Sequence, residues 1–334
     1  MKKSVLIIIM TVMMAIVVAA CGNNNTKEAK NTTTDSAGNT TNAAAPTEPV
    51  ESKEITIKHK LGETKLQTNP EKVVVFDFGI LDSLDKLAVE VAGVPQANIP
   101  PYLAKYEDKK YANVGSLKEP DFEKINALDP DLIIISGRQQ DAYEELTKIA
   151  PTIFLGVDNT KLVESFKENM NTLGQIFDKQ AQIDEELAKI DASIKDIHDK
   201  ATATGKNGLI VLANEGKLSA YGAGSRFGII HDVLGFKPTD TTIEVSTHGQ
   251  SITSEFIQEK NPDYLFVVDR STVVAAEGAE ATSAKDTIEN DLVKNTNAFK
   301  EGHIVYLDPN YWYLSGGGLV SMVEMINEIG AAIQ

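Results

Sequence analysis

Two stretches decide the fold: EKINALDPDLIIISGR, Glu123–Arg138, and EFIQEKNPDYLFVVDR, Glu255–Arg270. They are one pattern written twice, 132 residues apart. In each copy a glutamate lies seven residues before a proline, an aspartate follows the proline, and an arginine lies eight residues beyond it. The pattern predicts a helix, a turn and a strand. Proline ends the helix because the residue before it is pushed out of the right-handed helical region. Leu132–Ile135 and Leu265–Val268 are short continuous apolar runs, as expected of strands covered on both faces. Each arginine then falls just past the carboxyl end of its strand, the edge at which open parallel sheets bind ligands. The fold class is therefore α/β, with two similar lobes that each aim one arginine at a shared cleft.

Arginine is scarce elsewhere. Only Arg138, Arg226 and Arg270 occur among 32 basic side chains. A lysine-biased chain that keeps three arginines needs the planar, five-donor guanidinium there. The net charge of −16 argues against nucleic acid, which demands a basic surface. A small anionic ligand stays open, because a cleft can differ in sign from the whole surface.

The first residues are a targeting segment. Lys2 and Lys3 precede an apolar run, Val5–Ala20, broken only by Thr11 and ending Val18-Ala19-Ala20-Cys21. Small residues before the sole cysteine form a lipobox, so residues 1–20 are a lipoprotein signal peptide and Cys21 is the lipidated first residue of the mature chain. A lone cysteine leaves no intramolecular disulfide, and stability must come from the core. Residues 21–52 are rich in Asn, Thr, Ala and Lys and form a disordered tether, on the order of 30 Å in mean span. The expected location is the extracytoplasmic face of the cell membrane.

The folded part divides into an N-terminal α/β lobe (53–177), a connecting helix (178–204) and a C-terminal α/β lobe (205–334). Ile55–His59 and Lys65–Gln67 flank a turn and read as a hairpin. Val73–Phe76, Val89–Val94, Ala112–Val114 and Thr152–Leu155 read as further strands of the first lobe, and Leu209–Ala213 and Ile304–Leu307 as strands of the second. Alternation of strands with helical stretches predicts mostly parallel sheets. Between the lobes, Ile183, Leu187, Ile190, Ile194 and Ile197 form a helical stripe, in one long helix or two in tandem. A single helical crossover predicts lobes that hinge only a little.

These features together resemble the class III, helical-backbone substrate-binding proteins of ABC importers, which carry ferric siderophores, haem, cobalamin or metal ions. The resemblance covers about residues 53–334. Ser136-Gly137-Arg138-Gln139, Gly224-Ser225-Arg226-Phe227-Gly228, Thr247-His248-Gly249, Val268-Asp269-Arg270 and Leu307-Asp308-Pro309 through Tyr311-Trp312-Tyr313-Leu314 look like those binding proteins that take catecholate siderophores of the petrobactin type. The resemblance implies that Arg138, Arg226 and Arg270 contact a ferric siderophore. It implies that Glu123 and Glu255 dock on arginines of an ABC permease, which works with its ATPase. A siderophore supplying six oxygens needs no protein ligand on iron; one supplying four leaves two positions open, and the resemblance implies His248 and Tyr313 as the residues that fill them. Tyr311 and Trp312 share the aromatic loop with Tyr313 and are further ligand-binding candidates.

The ferric siderophore is cargo, with no resident cofactor, and the chain is expected to act as a monomer. The alternative ligand within the same class is haem or cobalamin, although haem would need fewer arginines. An enzyme is disfavoured by the lack of a Gly-x-Ser-x-Gly elbow, a paired-His zinc motif or a phosphate-binding glycine loop.

Overall fold

The computed structural model of the protein describes residues 52–274 and 282–333. The signal segment, Cys21 and the tether up to residue 51 lie outside the described residues.

The chain enters through a hairpin of β1 (Glu54–His59) and β2 (Gly62–Gln67), in register from Glu54 opposite Gln67 to His59 opposite Gly62. A first sheet contains β3 (Val73–Val75), β4 (Gly93–Val94), β5 (Ala112–Asn113), β6 (Leu132–Ile135) and β7 (Thr152–Phe154). Its order is β5-β4-β3-β6-β7 and every pairing is parallel. A second sheet contains β8 (Asn207–Asn214), β9 (Lys217–Tyr221), β10 (Lys237–Pro238), β11 (Gln250–Ile252), β12 (Tyr264–Asp269) and β13 (Ile304–Leu307). Its order is β11-β9-β8-β12-β13, with β10 beside β8. Here β9 runs antiparallel, because Glu215 and Gly216 both take positive φ and close a tight hairpin back from β8.

Alternate residues of the central strands enter different cores. Val73, Val75, Leu132 and Ile134 share one apolar cluster with Ile210, Leu212, Phe266 and Val268 of the second sheet. Val74, Ile133 and Ile135 face a separate cluster on the first sheet, and Leu209, Val211, Leu265 and Val267 face another on the second. The period-two alternation of buried strands therefore gives each sheet a private face and a common one. The common core also contains the stripe Ile183, Leu187, Ile190 and Ile197.

The helical crossover is two helices, Leu162–Phe177 and Gln180–Thr204, separated at Asp178, which has φ +52°. The second has 25 residues, about 37 Å, and ends at left-handed Gly205. The expected strand at Val89–Val94 shrinks to Gly93–Val94, where a side chain on Gly93 would meet Val114 and Leu128.

The Pro-Asp turns are more specific than the sequence implied. Asp129 and Asn261, the residues before the prolines, leave the right-handed helix by entering the left-handed region, with φ of 52° and 45°. Both are residue types that tolerate it. The aspartates after the prolines tie down neighbouring strands. Asp131 Oδ2 accepts from the Glu71 and Lys72 amides at 3.1 and 2.8 Å, just before β3, and Asp263 Oδ2 accepts from the Asn207 amide at 3.0 Å, at the start of β8. The repeat thus fixes the entry to each lobe's central strand as well as its own.

A second bond between the halves runs through the helix Phe78–Lys86 and the C-terminal helix Leu319–Ala332. Gly79 and Gly318 bring their starts together; a Cβ on either would strike the other's backbone. Asp82 is fully buried there and accepts from the amides of Val320 (3.2 Å) and Ser321 (3.0 Å) and from the Tyr102 hydroxyl (3.2 Å). A carboxylate at a helix N-terminus satisfies orphan amides and meets a favourable dipole. Burial nevertheless pushes its pKa up to about 7, against the opposing pull of the hydrogen bonds from Ser321. The folded state then holds a proton that the unfolded chain releases near pH 4. Stability from this group is complete below about pH 4 and is lost as pH rises through about 7. Urea midpoints should fall between pH 5 and pH 8 in the wild type, and Asp82→Asn should flatten that slope.

Candidate functional site

The site assembles at the carboxyl edges of both sheets. Arg138 follows β6 in a short 3-10 turn, Gly137–Ala142. That turn is pinned by Gln139, whose Oε1 accepts from the Ser136 amide at 3.1 Å and whose Nε2 donates to the Leu117 carbonyl. Arg270 follows β12 directly, and its own amide donates to Ala213 O at 3.0 Å. Arg226 lies beyond β9, between Ser225, whose Oγ donates to Gly222 O at 2.5 Å, and buried Phe227, which packs edge-on against Tyr221.

All three arginines converge on one residue. Asn310–Leu314 forms a π-helical turn closed by the Ser315 amide donating to Asn310 O at 3.1 Å. The Tyr313 carbonyl accepts from Arg138 Nη2 at 2.9 Å and from Arg226 Nη2 at 2.5 Å. Arg138 Nη1 also donates to Leu314 O at 3.4 Å. Arg270 Nε donates to the Tyr313 hydroxyl at 2.7 Å, while its Nη1 donates to Asn214 Oδ1 at 2.6 Å. The Arg226 guanidinium carbon stands 4.1 Å from the centre of the Tyr313 ring.

Among the described residues no carboxylate lies within 4.0 Å of any of these arginines; the ion pairs present all use lysine or histidine. Among the described residues, three cations therefore meet on the carbonyl, ring and hydroxyl of one tyrosine. Burial, and then the nearby charge of Arg138, lower the Arg226 pKa. Burial alone would raise the Tyr313 phenol, but the hydrogen bond from Arg270 and the charges of all three arginines outweigh it and bring the pKa below the usual tyrosine value. Each guanidinium has five N–H donors, and acceptors among the described residues take at most two of each. The remaining donors suit an anion with several oxygen atoms.

The other candidates are placed differently. Tyr311 is half-buried against Tyr102, with ring centres 4.8 Å apart. Trp312 is 2% exposed, and its Nε1 donates to Glu328 Oε2 at 2.6 Å, so it packs beneath the loop. An aromatic run of three cannot present every ring to one side of a turn. His248 sits in an exposed loop, its amide donating to Ser246 Oγ at 3.2 Å, outside the hydrogen-bonded Arg–Tyr313 cluster. Glu123 and Glu255 are both exposed in the first turns of Phe122–Leu128 and Ser254–Lys260. The Asp121 amide donates to Val114 O at 2.8 Å, which places the first of these helix starts at the carboxyl end of β5, on the arginine edge of the sheet. The second follows β11, whose Ile252 pairs with Leu218, itself opposite Ala213 at the end of β8. Asn214, which orients Arg270, was missed; only the β8–β12 register, Asp269 opposite Ala213, brings it there.

Residues 73–311 match the sequence profile of the family described as periplasmic binding protein. The chain belongs to that family. It is 56% identical over 280 residues to the petrobactin-binding protein YclQ of Bacillus subtilis (strain 168), covering 83% of this chain and 87% of that one. It is 35% identical over 287 residues to the ferric-anguibactin-binding protein FatB of Vibrio anguillarum, covering 84% and 88%. The crystal structure of YclQ superposes with a TM-score of 0.81, over 84% of this chain and 99% of that one, at 55% identity. The periplasmic catecholate-siderophore binding protein VctP of Vibrio cholerae superposes with a TM-score of 0.79 at 39% identity, over 84% and 100%. Like these members of the family, the chain has a mixed α/β architecture with parallel sheets flanked by helices.

The cationic surroundings of Tyr313 have a direct spectroscopic consequence. In an ultraviolet difference titration, one tyrosine should ionise below the ordinary value of about 10. Tyr313→Phe should remove that step, and Arg270→Ala should move it upward.

Proposed function

We propose that the protein is a lipid-anchored, extracytoplasmic receptor that binds a ferric catecholate siderophore of the petrobactin type and delivers it to an ABC permease for iron uptake. One observation carries this reading: three arginines converge on Tyr313 with no carboxylate partner among the described residues. Such a cluster is completed by an anion that presents several hard oxygens in planar groups. A ferric ion wrapped by catecholate and citrate groups is such an anion, with about three negative charges that three guanidinium groups match. YclQ binds petrobactin, FatB ferric anguibactin and VctP catecholate siderophores, which supports the same ligand class here.

In this scheme Arg138, Arg226 and Arg270 bond the oxygens around iron. Tyr313 holds the arginines in place and, with His248, fills iron positions that a four-oxygen siderophore leaves open. Cys21 carries the lipid anchor. Glu123 and Glu255, exposed at the arginine edge of the two lobes, dock on the permease. The chain releases its ligand without altering it and so is not an enzyme.

Binding is measured by quenching of intrinsic fluorescence with ferric petrobactin, ferric citrate, a ferric hydroxamate and haem. Ferric petrobactin should quench at nanomolar concentration; a response to haem alone would overturn the siderophore assignment. Arg226→Ala should weaken binding by about 2–5 kcal/mol, roughly 30-fold or more, because it removes one partner from a desolvated charge contact. A loss below about twofold would exclude Arg226 from the contact. The double variant Glu123→Ala, Glu255→Ala should keep that affinity and lose iron uptake in cells.

A further inference from the structure

Beside Arg226 lies a cavity of about 590 Å³ that the Tyr313 cluster does not account for. Neither Tyr313, Arg138 nor Arg270 lines it; of the four, only Arg226 does. Its walls come from both lobes: the turn of the β1–β2 hairpin, the segment after β7 and one side of the helix Leu162–Phe177 from the first, and Gly224–Arg226 with Val245–Thr247 from the second. The volume is in the range of small-molecule sites. An object filling it would touch Arg226 on one side and the hairpin on the other.

The hairpin supplies a cation there. Lys60 Nζ donates to Gln140 Oε1 at 3.3 Å and stands 5.5 Å from the centre of the Phe154 ring. Gln140 is two residues beyond Arg138 in the same turn, so Lys60 is tethered to the arginine edge of the first sheet. No carboxylate among the described residues lies within 4.0 Å of Lys60, whereas neighbouring Lys58 is paired with Glu63 at 3.1 Å. An ammonium group has three donors, and one hydrogen bond leaves Lys60 two for a ligand.

The carboxylates on the cavity wall do not outnumber its cations. Asp158, which accepts from the Thr160 amide and hydroxyl at 2.9 and 2.7 Å and feels the charge of Lys60, and Glu168, exposed on the helix wall, stand against Lys58, Lys60 and Arg226. His59 is kept neutral by burial, and it braces the turn: the Leu61 amide donates to its Nδ1 at 3.3 Å, and its Nε2 lies 3.0 Å from Thr64 Oγ1. Thr64 in turn donates to Thr152 O on β7 at 2.7 Å. A braced turn loses little freedom when it meets a ligand, which favours a selective contact. The hairpin also precedes residue 73, where the match to the family profile begins.

We infer that this cavity is a second subsite of the ligand site, in which Lys60 holds carbonyl oxygens of the siderophore backbone, the part of the ligand that does not chelate iron, while Arg226 on the shared wall keeps its contact with the iron-bound oxygens. The inference rests on the siderophore reading above. It makes Lys60 a residue that separates whole siderophores from bare iron–catechol complexes. The test titrates the purified chain and its Lys60→Ala and Lys60→Arg variants with ferric petrobactin and with the ferric complex of free dihydroxybenzoate, which has no backbone. Lys60→Ala should weaken ferric petrobactin about tenfold, as expected for a hydrogen bond to a charged group, and leave the dihydroxybenzoate complex within about twofold. Lys60→Arg should restore most of the difference. Equal losses for both complexes would reduce Lys60 to a general contribution to the field and overturn the subsite, as would an unchanged affinity for ferric petrobactin. Failure of the wild type to bind ferric petrobactin would instead overturn the siderophore reading itself.

Discussion

Three like charges gathered within reach of one tyrosine are the constraint on which the site depends. Guanidinium groups repel, and a protein with a net charge of −16 has many carboxylates with which it could have neutralised them. Among the described residues it uses a backbone carbonyl, a ring face and a phenol instead. These acceptors orient the cations without discharging them. The cost of their mutual repulsion is borne by the scaffold that brings the carboxyl ends of β6 and β12 together with the turn Asn310–Leu314. A ligand that carries the balancing negative charge recovers that cost, which is why a site of this kind is preorganised for an anion.

The π-helical turn is central to this arrangement. In an ordinary helical turn the carbonyls of Tyr313 and Leu314 would meet amides further along the chain. Here the turn stops at Ser315, and both carbonyls are left for Arg138 and Arg226. Irregular helical turns of this type occur often at functional sites, and the geometry gives a reason. The same irregularity sends Trp312 inward to Glu328 and leaves Tyr313 facing the arginines.

Much of the fold was legible because the repeat states it twice. An apolar run between a Pro-Asp turn and an arginine leaves few alternatives to a buried parallel strand, and β6 and β12 fall where those runs are. The three arginines could be singled out by scarcity alone. What could not be read were relations set by register and packing: Asn214 beside Arg270, Asp131 and Asp263 bonded to the strands next door, and the choice of which aromatic in Tyr311-Trp312-Tyr313 faces the cleft. The short strands β4 and β5 were overestimated for a related reason. Their neighbours, and not their own apolar content, determine where pairing stops.

The buried meeting of Asp82 with the start of the C-terminal helix has a consequence for the order in which the chain can fold. Ser83 and Asp82 bond the amides of Leu319 and Ser321, residues 236 and 239 positions further on. Until those amides arrive, the carboxylate on the buried face of the helix Phe78–Lys86 has only the hydroxyls of Ser83 and Tyr102 as partners. A chain emerging from its N-terminus can therefore pair β3 with β6 early, yet cannot finish its first lobe until nearly the last residue is available. Long-range closure of this kind slows folding and lengthens the time for which apolar surface is exposed. The first lobe is in this sense the last to be completed.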